Sequence, residues 1–186
     1  MLSIVQLITN HVQSFSYRPV KVKRYRQIGN PPCLYFPCGF FDGASVKKTA
    51  GVGYNIHLNE SHHYEFALGV GYGSNTKAKL MGLWALLLSS QMMGLPLSHI
   101  FGDSQVIINW AKGLTALSPP ELFHWCRETK KLSYGFQDLS FIHIYREHNW
   151  IADRLSKTAL TLAQGFGVCT EYLDDQLIMQ ESFQLF

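Results

Sequence analysis

The sequence is short of several features that would settle its class at once. No apolar run approaches the roughly 18 residues a membrane-spanning helix needs, so a membrane protein is excluded as a reading of this chain. Its four cysteines, Cys33, Cys38, Cys126 and Cys169, form no C-x-x-C pair and share no zinc-type spacing with histidine. They read as reduced thiols, as in an intracellular protein of nucleus or cytoplasm. There is no repeat at solenoid periods and no low-complexity tract. Neither G-x-S-x-G nor H-E-x-x-H occurs, so His62-His63, His143 and His148 read as a loop pair, a strand residue and a cap neighbour rather than as catalytic groups. No secretory signal precedes Asn59-Glu60-Ser61, which is therefore a chance sequon.

Acid is also missing, locally. Residues 1–31 carry Arg18, Lys21, Lys23, Arg24 and Arg26 and no Asp or Glu, whereas the whole chain has a net charge of +3. The rest is thus mildly acidic. The stretch "YRPVKVKRYRQ" can lie along phosphates or serve as a solvated linker, and an acid-free start with a few apolar residues also allows an organellar leader. What remains is a globular profile: 186 residues, 47% hydrophobic and 16% charged, enough for one domain with an extension. The expected division is a basic extension over 1–31, a domain over 32–166 and a tail over 167–186, with "GNPP" as the first boundary.

Within the domain, "CLYFPCGFFDGAS" reads as a strand ending at Asp42-Gly43, "TAGVGYNIHLN" as a second and "YEFALGVGYG" as a third after the turn "NESHH". Short links make these an antiparallel meander. A long helix over 75–94 follows, capped by Ser74 or Asn75 and stopped by Gly94 and Pro96. "LSHIFGDS" is a short strand, "SQVIINWAKG" and "ELFHWCRETKKLSYGF" are helices, and "LSFIHIYRE" is a fifth strand. "NWIADRLSKTALTLAQG" is a closing helix with Asn149 as cap. The order β-β-β-α-β-α-α-β-α predicts an α/β domain, a five-stranded mixed sheet with helices packed on it. "LGVGYGSN" spells G-x-G-x-G rather than the dinucleotide-binding pattern, and a meander precedes it, so that reading fails. Arg127, Lys130 and Lys131 form a basic helix face, but Glu121 and Glu128 share the helix.

The long helix carries an anomaly. Its first turn holds Lys77 and Lys79 and no acid, at the end where the helix dipole disfavours cations. Lys79 shares a face with Gly82, Leu83 and Leu86 at i+3, i+4 and i+7, which directs a lysine toward the core. The acids are placed as pointedly. Asp42 ends the first strand, Asp103 the fourth, and Asp153 lies in the first turn of the last helix. Singly these suit a turn pair, a helix cap and a helix N-terminus. If the first, fourth and fifth strands are neighbours, the three converge at one end of the sheet. Converging carboxylates repel, and a hard divalent cation relieves that. Two such ions about 4 Å apart can activate water and stabilise the leaving oxygen in phosphodiester cleavage.

The stretches "FDGAS" (41–45), "SNTKAKLMGLWALL" (74–87), "GDSQ" (102–105) and "REHNWIADRLSK" (146–157) resemble a type 1 ribonuclease H domain of the reverse-transcriptase-associated kind found in plant genomes. The lead-in ending in "NPP" is similar to the spacer before that domain in retrotransposon polyproteins. The resemblance implies a ribonuclease H-like fold and a monomeric domain, with no membrane, that cleaves RNA in RNA–DNA hybrids using Mg2+ or Mn2+. It implies that Asp42 bridges two ions and that Asp103 and Asp153 each complete one shell. It places backbone at Gly43 and Ala44 close to the RNA, and Asn75, Ser104 and Asn149 against the hybrid.

One position departs from the pattern. Where the family has a metal-binding Glu, this chain has Lys79. The change replaces a hard oxygen ligand by an ammonium that cannot coordinate Mg2+. The ammonium is expected among the acids, as a counter-ion where a metal belongs. Glu60, Glu65 and Glu147 do not fall on the face needed to replace it. Hybrid binding with impaired cleavage is therefore expected, against an active ribonuclease or a relic with no selected task.

Overall fold

The computed structural model describes residues 31–186, so all but the last residue of the basic extension lies outside it. The meander forms as expected: β1 (Cys38–Val46), β2 (Thr49–His57) and β3 (His62–Tyr72) pair antiparallel. β4 (His99–Gly102) lies parallel to β1 on its other edge, and β5 (Ser140–His143) parallel to β4. The helices are α1 (Asn75–Met92), α2 (Gln105–Ala111), α3 (Phe123–Ser133) and α4 (Trp150–Thr158). The first, fourth and fifth strands are indeed neighbours.

The sheet is larger than expected. It has seven strands among the described residues, in the order β5-β4-β1-β2-β3-β6-β7. The segment expected as a tail forms β6 (Phe166–Leu173) and β7 (Gln176–Gln184), a hairpin that pairs with β3. Its turn is Asp174-Asp175, both at positive φ, rather than a glycine pair, and β7 is mostly exposed, so neither turn chemistry nor clean alternation marks it in sequence. β1 also overruns its predicted end. Asp42 pairs with Gly53 and Gly43 with Val52, and the chain reverses only at Lys47-Lys48. Ladder pairing with β2 overrides the Asp-Gly turn signal, so Asp42 sits mid-strand. His62 and His63, expected in the preceding turn, open β3.

α1 is apolar nearly all round because it is covered on both sides. Leu80, Leu83 and Leu86 join Phe41, Tyr54 and Leu68 of the sheet in the main core, and Trp84 meets Trp125 of α3 edge-on at 5.0 Å. α4 covers the opposite face of the sheet through Ala152 and Leu155.

The contact of α1 with β1 is unusually close. A Cβ at Gly43 would overlap the Ala78 carbonyl and the Lys79 amide, and one at Gly82 would lie 2.6 Å from the Asp42 carbonyl oxygen. Both glycines thus let the helix backbone rest on the strand, which brings Lys79 beside Asp42. Overpacking such a contact costs typically about 1–3 kcal/mol. Gly43→Ala is accordingly expected to lower the thermal unfolding midpoint by several degrees; an unchanged melting curve would show that the two backbones are not in contact.

Candidate functional site

Three elements deliver the rim of the site. β1 carries Asp42, β4 hands over to Asp103 one residue past its end, and α1 presents Lys79 from its first turn. Ser74 caps α1, its hydroxyl accepting from Lys77 N at 3.3 Å, and Ser104 caps α2 in the same way through Ile107 N at 3.5 Å. Asn75 does not cap. Its Oδ1 accepts from Ser45 N at 2.7 Å and ties the start of α1 to β1.

The ammonium of Lys79 lies between two acids. It donates to Asp42 Oδ1 in a very short bond and to Asp103 Oδ1 at 2.7 Å. The lysine side chain is 23% exposed and those of Asp42 and Asp103 are 4% and 10% exposed. Burial alone would lower the lysine pKa, but the two carboxylates more than reverse this and hold it above its usual range. Burial raises Asp42 above the ordinary carboxylate range; Lys79 draws it back in part, and Asp103 adds to the rise.

Asp153, the third acid expected at this rim, has cations of its own. Arg146 donates to Asp153 Oδ1 through Nε at 3.1 Å and through Nη2, and Lys157 donates to Oδ2 at 2.6 Å. Burial would raise the Asp153 pKa, but Lys157 and Arg146 outweigh it and hold the carboxyl below its usual range. Lys157 was legible as an i,i+4 partner. Arg146, in the 3-10 turn Arg146–His148, carried no sequence signal for this contact.

The remaining expected residues divide. Ala44, Asn75 and Ser104 lie at the rim, half-buried or exposed. Gly43 is buried under α1, and Asn149, 1% exposed, reaches across to donate to the Phe41 carbonyl at 2.9 Å, holding the start of α4 on β1. Asn149 occupies the cap position of α4 without making the side-chain cap expected of it. Of the other acids weighed for this position, Glu65 pairs with Arg154 at 2.7 Å, and Glu60 and Glu147 are exposed. The basic face on α3 is also engaged, with Arg127 and Lys131 on Glu128 and Lys130 over Trp110.

A family model described as reverse transcriptase-like matches residues 41–159, the stretch from the "FDGAS" strand through α4. The chain belongs to the reverse transcriptase-like family. Ribonuclease H1 of Halobacterium salinarum shares this domain's fold with a TM-score of 0.63 at 28% identity, covering 67% of this chain and 96% of that one. LC11 ribonuclease H1, solved with an RNA/DNA hybrid, gives 0.60 at 23% identity over 66% of this chain and 95% of its own. An Arabidopsis thaliana protein that carries the name ribonuclease H protein is 30% identical over 105 residues, 54% of this chain and 16% of that protein. The chain thus spans a small part of that relative. The domain is ribonuclease H-like, and β6 and β7 fall outside the stretch that the family model matches.

Do these residues fit the divalent cation such a fold implies? They do not. The Lys79 ammonium, which cannot coordinate a metal, lies between Asp42 and Asp103 and engages an oxygen of each, and both oxygens of Asp153 hold cations. No group of three or more His, Cys, Asp or Glu suited to a metal is found among the described residues. Nor is any helix there long and apolar enough to cross a membrane.

The pairs fix how stability responds to pH. The raised Lys79 contributes stability that is complete below its unfolded pKa near 10.5 and is lost as pH rises through the folded value. The depressed Asp153 contributes stability present above about 3.8 and lost as pH falls through its folded value. Removing the amine leaves the buried Asp42 carboxylate without its cation, so Lys79→Met is expected to destabilise the domain at pH 7 by on the order of 3 kcal/mol. Acidification protonates Asp42, whose burial already raises its pKa, and the deficit against the native chain should shrink between neutral pH and about pH 4. Chemical denaturation at both pH values measures it, and a pH-independent deficit would contradict the placement of Lys79.

Proposed function

We propose that this domain binds nucleic acid, RNA–DNA hybrid foremost, through a ribonuclease H-like surface whose phosphodiester-cleaving centre is disabled. One observation carries the reading: the Lys79 ammonium bridges Asp42 and Asp103 in the place of a metal-coordinating carboxylate. Mg2+ or Mn2+ would supply water activation and charge stabilisation if it were held between these acids. Electrostatic contributions of that kind are worth several kcal/mol, or orders of magnitude in rate.

Binding does not depend on that centre. Ala44, Asn75 and Ser104 offer polar and backbone contacts along the rim, while Gly43 and Asn149 set the rim's position from beneath. A hybrid is distinguished from duplex DNA through 2′-hydroxyls in a wide minor groove, and phosphates supply the sequence-independent part of affinity. The basic residues Arg18 to Arg26 add further phosphate contacts in this reading. A retroelement origin and a plant source are part of the same proposal, supported by the family and the Arabidopsis relative.

Two measurements test it. A labelled RNA–DNA hybrid should remain uncut by the native chain in Mg2+ or Mn2+ and should be cut at least about tenfold faster after Lys79→Glu. Robust native cleavage that Asp42→Asn abolishes would instead establish an active ribonuclease. Hybrid affinity should be unchanged by a chelator and fall about tenfold or more between low and physiological salt. No measurable affinity for hybrid, duplex or single strand would leave the relic reading.

A further inference from the structure

A cavity lies on the far side of β1 from α1, where β1, β2 and the start of α4 meet. We propose that it is a binding site for a cytosine-like base, a single six-membered ring bearing an amino group. The site uses none of the acids or cations of the rim. A nucleic-acid strand is one source of such a base, and that part alone rests on the reading above.

The cavity measures about 170 Å3, and one of about 150 Å3 is enough to hold a benzene ring. Its walls are largely ring-bearing side chains. Phe40 and His57 meet edge-on at 5.6 Å. Leu34 and Trp150, 36% and 60% exposed, bring it to the surface. The Arg154 guanidinium lies over the Trp150 ring at 5.8 Å and is held in turn on Glu65, so Trp150 is braced despite its exposure. Aromatic walls of this kind favour a flat partner.

Two acceptors decide the polarity of that partner. Asn55 and Asn149 line the same cavity and are 2% and 1% exposed, and the Oδ1 of each has no hydrogen-bond partner among the described residues. Asn149 Nδ2 donates to the Phe41 carbonyl at 2.9 Å, and a carbonyl only accepts, so this amide cannot be turned over to employ its oxygen. Asn55 Nδ2 lies 2.7 Å from His57 Nε2. Burial, with His63 beside it, pushes the His57 imidazole down to about 4, so the ring is neutral and can accept. Buried acceptors without partners call for a donor. No lysine, arginine or acid lines the cavity, so nothing there balances a phosphate or an ammonium, and the donor wanted is a neutral N–H. The amino group of cytosine offers two such bonds on one six-membered ring. Uracil offers a single N–H flanked by two carbonyls, which sets acceptor against acceptor.

Nuclear magnetic resonance of the isotopically labelled full chain, titrated with cytidine and with uridine, tests this on the side-chain amide signals of Asn55 and Asn149 and the indole signal of Trp150. Cytidine should move them saturably at millimolar concentration, and uridine should bind at least about tenfold more weakly. Asn55→Leu should remove that preference, and Trp150→Ala should weaken cytidine about threefold or more. Circular dichroism melting shows whether each variant is folded; should Asn55→Leu fail to fold, the exposed Trp150→Ala carries the test. An RNA–DNA hybrid with an unpaired cytosine should compete with cytidine, and a fully paired hybrid should not. Cytidine binding without that competition would assign the site to free nucleosides. No response to cytidine, or equal responses to cytidine and uridine, would overturn the site and leave the two oxygens to a buried water. Hybrid affinity is measured separately, so that failure would leave the nucleic-acid-binding reading standing, and cytidine binding without hybrid affinity would do the reverse.

Discussion

The bridge from the Lys79 ammonium to Asp42 and Asp103 is the interaction on which the rest of this rim depends. Burial and the neighbouring Asp103 both work against the charge on Asp42 where β1 meets β4, and a cation beside it offsets them. A metal ion can meet that need, and so can a side chain. Here the side chain is covalently tethered, present at high local concentration and positioned by the packing of α1 on β1. The fold then needs no ion to hold Asp42 beside Asp103, and on the proposed reading the chemistry an ion would supply is lost with it.

Backbone contact makes this possible. Gly43 and Gly82 remove the two Cβ atoms that would hold α1 off β1, and Ser74 and Asn75 fix where the helix begins. On the other side of the sheet, Asn149 ties α4 to the Phe41 carbonyl. The same scaffold would hold a glutamate at position 79 in the same place. The proposed closing of the reaction centre thus requires no loss of fold and is compatible with a retained nucleic-acid-binding surface.

Much of this was legible in the sequence, for identifiable reasons. The order of elements follows from strong periodicity and clear breakers, and the inward direction of Lys79 follows from its spacing to Gly82, Leu83 and Leu86. Three things were not legible. The β6–β7 hairpin turns on Asp174-Asp175 and leaves an exposed outer strand, so it lacks the glycine turn and clean alternation that announce strands. The continuation of β1 past Asp42-Gly43 was set by pairing with β2, a non-local effect that a local turn signal cannot report. The capture of Asp153 by Arg146 depends on the path of a 3-10 turn, which places a guanidinium by geometry rather than by any helical or strand period.

The occupant of the space between Asp42 and Asp103 can be read directly. Crystals grown with millimolar Mn2+ and measured at the manganese absorption edge should show lysine density joining both carboxylates and no anomalous peak there. An anomalous peak between the two acids, with the Lys79 side chain displaced toward solvent, would contradict it.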